Sequence, residues 1–295
     1  MSQPAPSTDA ASPWEPLDAA YRAAQLGPAS SRWASLLEQT ILTAPERRRL
    51  LGAVGARAGW RVLDVGTGYG PIPVELAHLA ALEAIGVDTD EELLTAAASV
   101  ADALAESDFF ATGATVSFAP GDAYALPFDA GEFDLVTARL VFQHLADPRL
   151  AAAEVARCLR PGGLALVYDV DDGLSASWPP ASPEVALLDR AYDAYQLASG
   201  GDREVGRKLS SYLADAGLTV RQVLVLPQAA HEDAGSADAA RSVNEARHLA
   251  ARDAMIAAGL IDRPTFDRCL AASVQAAAVA RCRIESQVVV LAGKP

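Results

Sequence analysis

From Pro16 to about Val54 the apolar side chains return at helical spacing. Leu36, Leu37, Ile41 and Leu42 share one stripe, and Arg47–Leu51 continues into a further short helix. The rhythm then changes. Continuous apolar runs at Arg61–Val65, Glu83–Asp88, Thr115–Ala119, Phe133–Thr137 and Leu164–Asp169 read as strands, separated by helical stretches near Pro73–Leu79, Glu91–Leu104 and Leu150–Leu159. Strands buried on both faces lose the apolar/polar alternation of half-exposed ones, as in a parallel sheet. Their alternation with helices predicts an α/β fold with a doubly wound, mostly parallel sheet.

Beyond Asp169 the regularity fails. Asp171–Pro183, rich in Asp, Gly, Ser and Pro, reads as a loop, and Glu184–Leu197 as a helix that Gly200-Gly201 breaks. Glu204–Ala214 reads as a helix closed by Gly217. Thr219–Leu226 and Gln287–Leu291 are two more strands, and His231–Arg283 between them is acidic at first and then helical. The organisation expected is a disordered tail at 1–13, a helical cap at 14–55 and a main domain at 56–295. Helical insertions fall at about 171–203 and 228–283, and they read either as packing or as a lid. Ligands of α/β sheets bind beyond the carboxyl ends of the strands, where such insertions reach.

Composition narrows the partners. The chain has 295 residues, 51% hydrophobic and 21% charged, enough to bury a sizeable core. A net charge of −14 repels a phosphate backbone and an anionic lipid surface alike, so neither nucleic acid nor membrane is expected as a partner. No run approaches the roughly 20 apolar residues of a membrane span, and the opening M-S-Q-P-A-P lacks the basic start and apolar core of a secretory leader. Cys158, Cys269 and Cys282 are odd in number and form no C-x-x-C, so reduced buried thiols and a cytoplasmic location are expected. Lysine occurs only at Lys208 and Lys294, with arginine and alanine abundant, a composition typical of GC-rich bacterial genomes.

The chemistry concentrates in Arg61-Val62-Leu63-Asp64-Val65-Gly66-Thr67-Gly68-Tyr69-Gly70, a strand that runs into a glycine-rich turn and then a helix. Glycines there admit positive φ and close approach of a ligand to the backbone. About twenty residues on, Gly86-Val87-Asp88 ends the second strand with a carboxylate placed to bind the hydroxyls of a ribose. The spacing is G-x-G-x-G, not the G-x-G-x-x-G of dinucleotide sites. Pro71 and Pro73 also remove two N–H donors that a pyrophosphate would use at the helix N-terminus. A ligand without phosphates loses less.

These residues resemble motifs I and II of the class I S-adenosylmethionine-dependent methyltransferases. The resemblance continues through Gly121-Asp122-Ala123, Leu126-Pro127-Phe128, Phe133-Asp134-Leu135-Val136, Phe142-Gln143-His144-Leu145 and Leu159-Arg160-Pro161-Gly162-Gly163. It covers about residues 50–170 and is closest to the small-molecule branch that includes quinone and antibiotic-pathway enzymes. It implies a Rossmann-like sheet of seven strands, the last antiparallel, and S-adenosylmethionine as cofactor. Gly66, Thr67 and Gly68 would line its methionine part, with Asp64 near the amino group. Asp88 would hold the ribose and Thr89 flank the adenine, with Asp122 and Ala123 at the adenine edge. Arg139 would touch cofactor and substrate, and Tyr21 would close over the site.

The resemblance further implies methyl transfer to O, N or C of a small-molecule acceptor by in-line displacement, releasing S-adenosylhomocysteine. His144 is the candidate general base on the rim of the fourth strand, although Gln143 stands where related enzymes often carry a second histidine, and Asp169 is the carboxylate that would orient it. His231 and His248 would reach the acceptor only from a lid, and His78 reads as structural. Asp169, Asp171 and Asp172 form an acidic cluster, but without a third-position ligand set no metal is expected. Three other readings stay open: a non-methylating cyclase or rearrangement enzyme on the same fold, a nicotinamide oxidoreductase, and a non-catalytic cofactor-sensing module. A homodimer is also left open.

Overall fold

The computed structural model describes residues 12–26, 34–234, 239–276 and 279–295. Most of the expected tail, residues 1–11, lies outside them. Three helices come first: α1 (Glu15–Leu26), α2 (Ala34–Leu42) and α3 (Ala44–Val54). The alternating part follows as β1 (Arg61–Val65), α4 (Pro71–Leu79), β2 (Glu83–Asp88), α5 (Glu91–Ala105), β3 (Thr115–Pro120), β4 (Phe133–Arg139), α6 (Pro148–Cys158) and β5 (Leu159–Val170). The last part holds β6 (Ala176–Trp178), α7 (Pro183–Ala198), α8 (Leu209–Asp215), β7 (Thr219–Glu232), α9 (Ala239–Ala257), α10 (Arg263–Ala276) and β8 (Arg281–Gly293).

The strands form one sheet in the order β3-β2-β1-β4-β5-β8-β7. β1 to β5 are parallel, and β8 runs antiparallel between β5 and β7. The expected sheet is therefore present, with two differences. β7 and β8 extend well past the predicted limits, and β6, inside the expected loop 171–183, pairs with the start of β8 where β5 has ended. The helix expected over Glu204–Ala214 is divided into a 3₁₀ turn at Gly206–Lys208 and α8.

Side-chain alternation decides what faces what. Leu63, Val65, Val136 and Ala138 point toward α6 and α8, where Val155 and Leu213 complete one buried layer. Val62, Leu135, Leu166 and Tyr168 point the other way, onto Leu51 of α3 and Leu76 of α4. Two residues beyond Val62 and Leu135, the same face turns polar with Asp64 and Thr137. That polar stripe marks the carboxyl ends of β1 and β4. α7, α9 and α10 share a separate small core built on Leu188, Met255 and Phe266. They stand as a cap of their own rather than a further layer on the sheet.

Candidate functional site

The turn between β1 and α4 is held in a shape that requires glycine. Gly66, Gly68 and Gly70 all have positive φ. A Cβ on Gly66 would run into Val141 Cγ2, and one on Gly70 would sit 2.5 Å from Phe118 Cζ. Pro71 occupies the first position of α4 and Pro73 the third, so two first-turn N–H groups are missing, as the sequence predicts. The Asp88 carboxylate at the end of β2 reaches back to this turn. Its Oδ2 accepts from Gly68 N–H at 2.9 Å and its Oδ1 from Asp90 N–H at 3.1 Å. A carboxylate has about four acceptor positions, so roughly two remain for a ligand's hydroxyls. Thr89, next in sequence, is exposed.

Asp64 lies one strand away and is only 2% exposed. Thr137, its register partner on β4, donates to Asp64 Oδ1 at 2.6 Å. Among the described residues no cationic side chain is within ion-pairing distance of it. Burial pushes its pKa up to about 7, against the Thr137 hydrogen bond, the neighbouring Thr67 hydroxyl and the more distant Arg139 charge. The Thr67 hydroxyl nearby is buried and has no hydrogen-bond partner. Together these are a carboxylate without a cation and, beside it, a hydroxyl without a well-formed hydrogen bond, at the carboxyl end of the central strand.

Arg139 ends β4 on the same face. Its Nη2 donates to Thr43 Oγ1 at 2.6 Å and its guanidinium lies 5.8 Å from the centre of the Tyr168 ring. Burial holds its pKa below the usual arginine value. Thr43 is fully used: its hydroxyl donates to Gln39 O and accepts from Arg139 and from Arg47 Nη1. Arg47, 1% exposed, grips the wholly buried Glu75 of α4 through two hydrogen bonds of 2.7 and 2.8 Å. Arg48 adds a third to Glu75 and ties Asp18 of α1. Tyr21, on α1, is buried, and its hydroxyl donates to Tyr69 O of the glycine turn at 3.2 Å. It therefore packs against the loop from the cap side.

After β4 the chain turns through Leu140, with positive φ, into a 3₁₀ turn at Phe142–His144. Asp169, completely buried, holds this turn by its backbone: Oδ2 accepts from Gln143 N–H at 3.1 Å and Oδ1 from Val170 N–H at 2.8 Å. Burial raises its pKa to about 7. It thus positions the segment carrying His144 without touching the imidazole. Surrounding protein, and then the Arg203 charge, lower the His144 pKa below the ordinary imidazole value, which keeps the ring neutral at pH 7. The acidic cluster is divided among arginines. Asp171 accepts three hydrogen bonds from Arg207, and Asp172 forms a two-pronged pair with Arg203 at 2.8 and 3.0 Å. Arg203 also donates to Gln143 Oε1. Among the described residues no group of three His, Cys, Asp or Glu side chains is arranged to hold a metal ion.

A cavity of about 420 Å³ opens beside the polar stripe, beyond the end of β5. Thr43 from the cap, Val170 from β5, Asp193 from α7, Arg247 from α9 and Gln287 from β8 contribute to its walls. His144 does not. Of the other residues singled out by sequence, Asp122 makes a local turn, with Oδ1 accepting from Tyr124 N–H at 2.9 Å, while Ala123 packs against the main core. His231 is exposed at the end of β7. His248 is buried under α7, 3.4 Å from Asp189, where burial lowers its pKa to about 4. His78 stacks on Phe109 and bonds Phe109 O, a packing role. Sequence reasoning missed Thr43, Thr137, Arg203 and Arg247. It also missed Asp189 and Asp193, one helical turn apart on α7.

The methyltransferase-domain family profile matches residues 63–167, from β1 to β5. Demethylmenaquinone methyltransferase of Thermus thermophilus is 33% identical over 147 residues, 50% of this chain and 60% of that protein. The chain belongs to the class I S-adenosylmethionine-dependent methyltransferase family. An uncharacterized 37.1 kDa protein in transposon TN4556 of Streptomyces fradiae is 31% identical over 210 residues, 69% of this chain and 57% of that one. The chain thus spans between half and two thirds of the length of these relatives. Among solved structures, the YcgJ protein of Bacillus subtilis superposes with a TM-score of 0.53 at 22% identity, over 85% of this chain and 98% of that one. That likeness carries the fold.

S-adenosylmethionine is the family's cofactor, and the described residues of this methyltransferase-family chain fit it. Asp64 lacks a cation, Thr67 Oγ1 lacks a partner, and Asp88 keeps open acceptor positions. The proline-led α4 offers little to a pyrophosphate.

Proposed function

We propose that this protein transfers a methyl group from S-adenosylmethionine to O, N or C of a small molecule. The observation that carries the reading is the pair of carboxylates at the ends of adjacent strands. Asp64 is buried without a cation and Asp88 is pinned to the glycine turn with acceptor positions to spare. One suits an ammonium and the other a ribose diol. In this arrangement the turn Gly66–Gly68 lines the methionine part, and Asp122, Ala123 and Thr89 flank the adenine. Arg139 stands between this groove and the cavity, and Tyr21 covers the turn. When bound, the cofactor supplies an electrophilic methyl on sulfur, which an acceptor lone pair displaces to leave S-adenosylhomocysteine.

The chain's own contribution is alignment. Fixing acceptor, methyl and sulfur in line contributes up to about 7–11 kcal/mol to lowering the barrier. Thr43 belongs to both spaces: it bonds Arg139 and lines the cavity, so the acceptor space adjoins the cofactor groove. His144 is neutral but outside the cavity walls, so its part is limited to an acceptor approaching from the 142–144 turn, which Asp169 positions.

Calorimetric titration tests the reading. S-adenosylmethionine and S-adenosylhomocysteine are expected to bind saturably and NAD not to bind. Asp88→Ala is expected to weaken both by about tenfold or more, because charge-assisted hydrogen bonds are worth about 1.5–3 kcal/mol each. Unchanged affinity in a folded Asp88→Ala protein removes the ribose assignment. Conversion of a substrate without release of S-adenosylhomocysteine assigns the non-methylating chemistry instead.

A further inference from the structure

The cavity beyond β5 is unusual in what it lacks. Among the described residues, its only apolar wall residues are Leu42, Val170, Ala176 and Ile284, and none of its wall residues is aromatic. Small-molecule pockets are mostly apolar, with a few placed polar groups; here polar residues outnumber apolar ones among the described wall residues. An apolar quinone with an isoprenoid tail would strip water from these walls and return nothing.

The charges in the walls are of both signs and do not all cancel. Asp172 is neutralised by the two-pronged Arg203 pair. Asp189 and Asp193 lie four residues apart on α7 and so share one face. Asp193 makes no ion pair among the described residues, and burial, then Asp172, raise its pKa to about 6. Across the cavity, on α9, the Arg247 guanidinium lies 5.0 Å from the Tyr192 ring centre, and its buried Nε has no hydrogen-bond partner. Gln287 is 8% exposed, lines the same space, and its side-chain amide makes no hydrogen bond to a described residue. An anion, a cation and an amide thus face one 420 Å³ space without satisfying one another. Leaving such groups half-desolvated and unpaired costs free energy that a ligand with matching groups recovers.

We propose that this cavity binds a small zwitterion, an amino-acid-like molecule whose ammonium faces Asp189 and Asp193 and whose anionic group faces Arg247. A neutral polyol would leave both charges unpaired. A purely cationic or purely anionic ligand would satisfy one wall and be repelled by the other. The inference rests on the reading of the adjoining groove as the cofactor site, and it names the acceptor class.

The test is an acceptor screen read by release of S-adenosylhomocysteine. The twenty protein amino acids are supplied, and for each one that reacts, the amine lacking its carboxylate and the acid lacking its amine. A quinone head group and a neutral polyol complete the panel. One or more amino acids are expected to react, with kcat/KM at least about tenfold lower for the amine-only and acid-only analogues. Asp193→Asn and Arg247→Gln are each expected to raise the acceptor KM by about tenfold or more while leaving the Kd for S-adenosylhomocysteine unchanged. That unchanged Kd shows the variants are folded. If the cofactor binds but no amino acid reacts, or the quinone or polyol reacts better, the zwitterion assignment is overturned. So it is if neither variant moves the acceptor KM. If S-adenosylmethionine does not bind at all, the cofactor reading fails and takes this one with it.

Discussion

The proposed contact between the buried Asp64 carboxylate and the cofactor ammonium makes cofactor binding a proton-linked event. With a pKa raised to about 7, roughly half of the free protein carries Asp64 protonated at pH 7. A ligand ammonium beside it requires the ionised form, so binding releases a proton. The apparent Kd then scales as one plus ten to the power of pKa minus pH. Relative to the high-pH plateau, that is about twofold weaker at pH 7, about elevenfold at pH 6 and about a hundredfold at pH 5. Two decades correspond to about 2.7 kcal/mol. The assay is calorimetric titration with S-adenosylhomocysteine between pH 5 and 7.5, in buffers of different ionisation heat, so that proton release is counted directly. Asp64→Asn is expected to bind about tenfold or more weakly at pH 7.5 and to lose most of the slope, because one charge-assisted hydrogen bond is gone. Asp169→Asn, whose carboxyl has a similar pKa but faces the other side of the sheet, is expected to keep it. A flat Kd across this range, or a slope that survives in Asp64→Asn, refutes the argument.

Two further predictions concern the frame around the site. Glu75→Ala leaves the Arg47 guanidinium buried without its partner, and removing one member of a buried pair costs about 3–5 kcal/mol; a loss below about 1 kcal/mol in urea unfolding would show that the network does not stabilise the fold. Asp169 has a folded pKa above its unfolded value near 3.8, so the folded state binds the extra proton between about pH 4 and 7 and stability falls as pH rises through that window. Asp169→Asn is expected to flatten that slope by one proton in pH-dependent unfolding, and to lose about 1–3 kcal/mol at low pH if its NH₂ meets a backbone donor.

What was legible in the sequence follows from what each signal is made of. Strands β1, β2, β4 and β5 are largely apolar runs, and the edge strand β3 alternates polar and apolar residues, so their existence and order can be read directly. Asp88 was legible because its spacing from the glycine turn is local, and the structure shows that spacing as a hydrogen bond from Gly68 N–H. The cavity beyond β5 was not legible. Its walls are drawn from α2, β5, α7, α9 and β8, segments far apart in sequence and joined only through β7 and β8 pairing around a separate helical core. The acidic run Asp169-Val-Asp-Asp misleads for a related reason. In sequence it looks like one cluster, yet the chain leaves β5 after Val170, and Asp169 bonds the 142–144 turn, Asp171 Arg207 and Asp172 Arg203.

Thr43 shows why the helical cap belongs to the site rather than decorating it. A hydroxyl has one donor and two acceptor positions, and here Gln39 O, Arg47 and Arg139 take all three. Arg47 is in turn fixed by Glu75, and Glu75 by Arg48, which reaches Asp18 on α1. Arg139 makes no other side-chain hydrogen bond among the described residues, so its orientation at the border of the cofactor groove depends on α2 and α3 being seated on α4. Tyr21, on the same α1 that carries Asp18, bonds the glycine turn itself. Seating the cap therefore sets three things at once: the Arg139 guanidinium, one wall of the cavity beyond β5, and the Tyr21 contact with the glycine turn. The sequence pattern of Pro16–Val54 could announce only that it was helical.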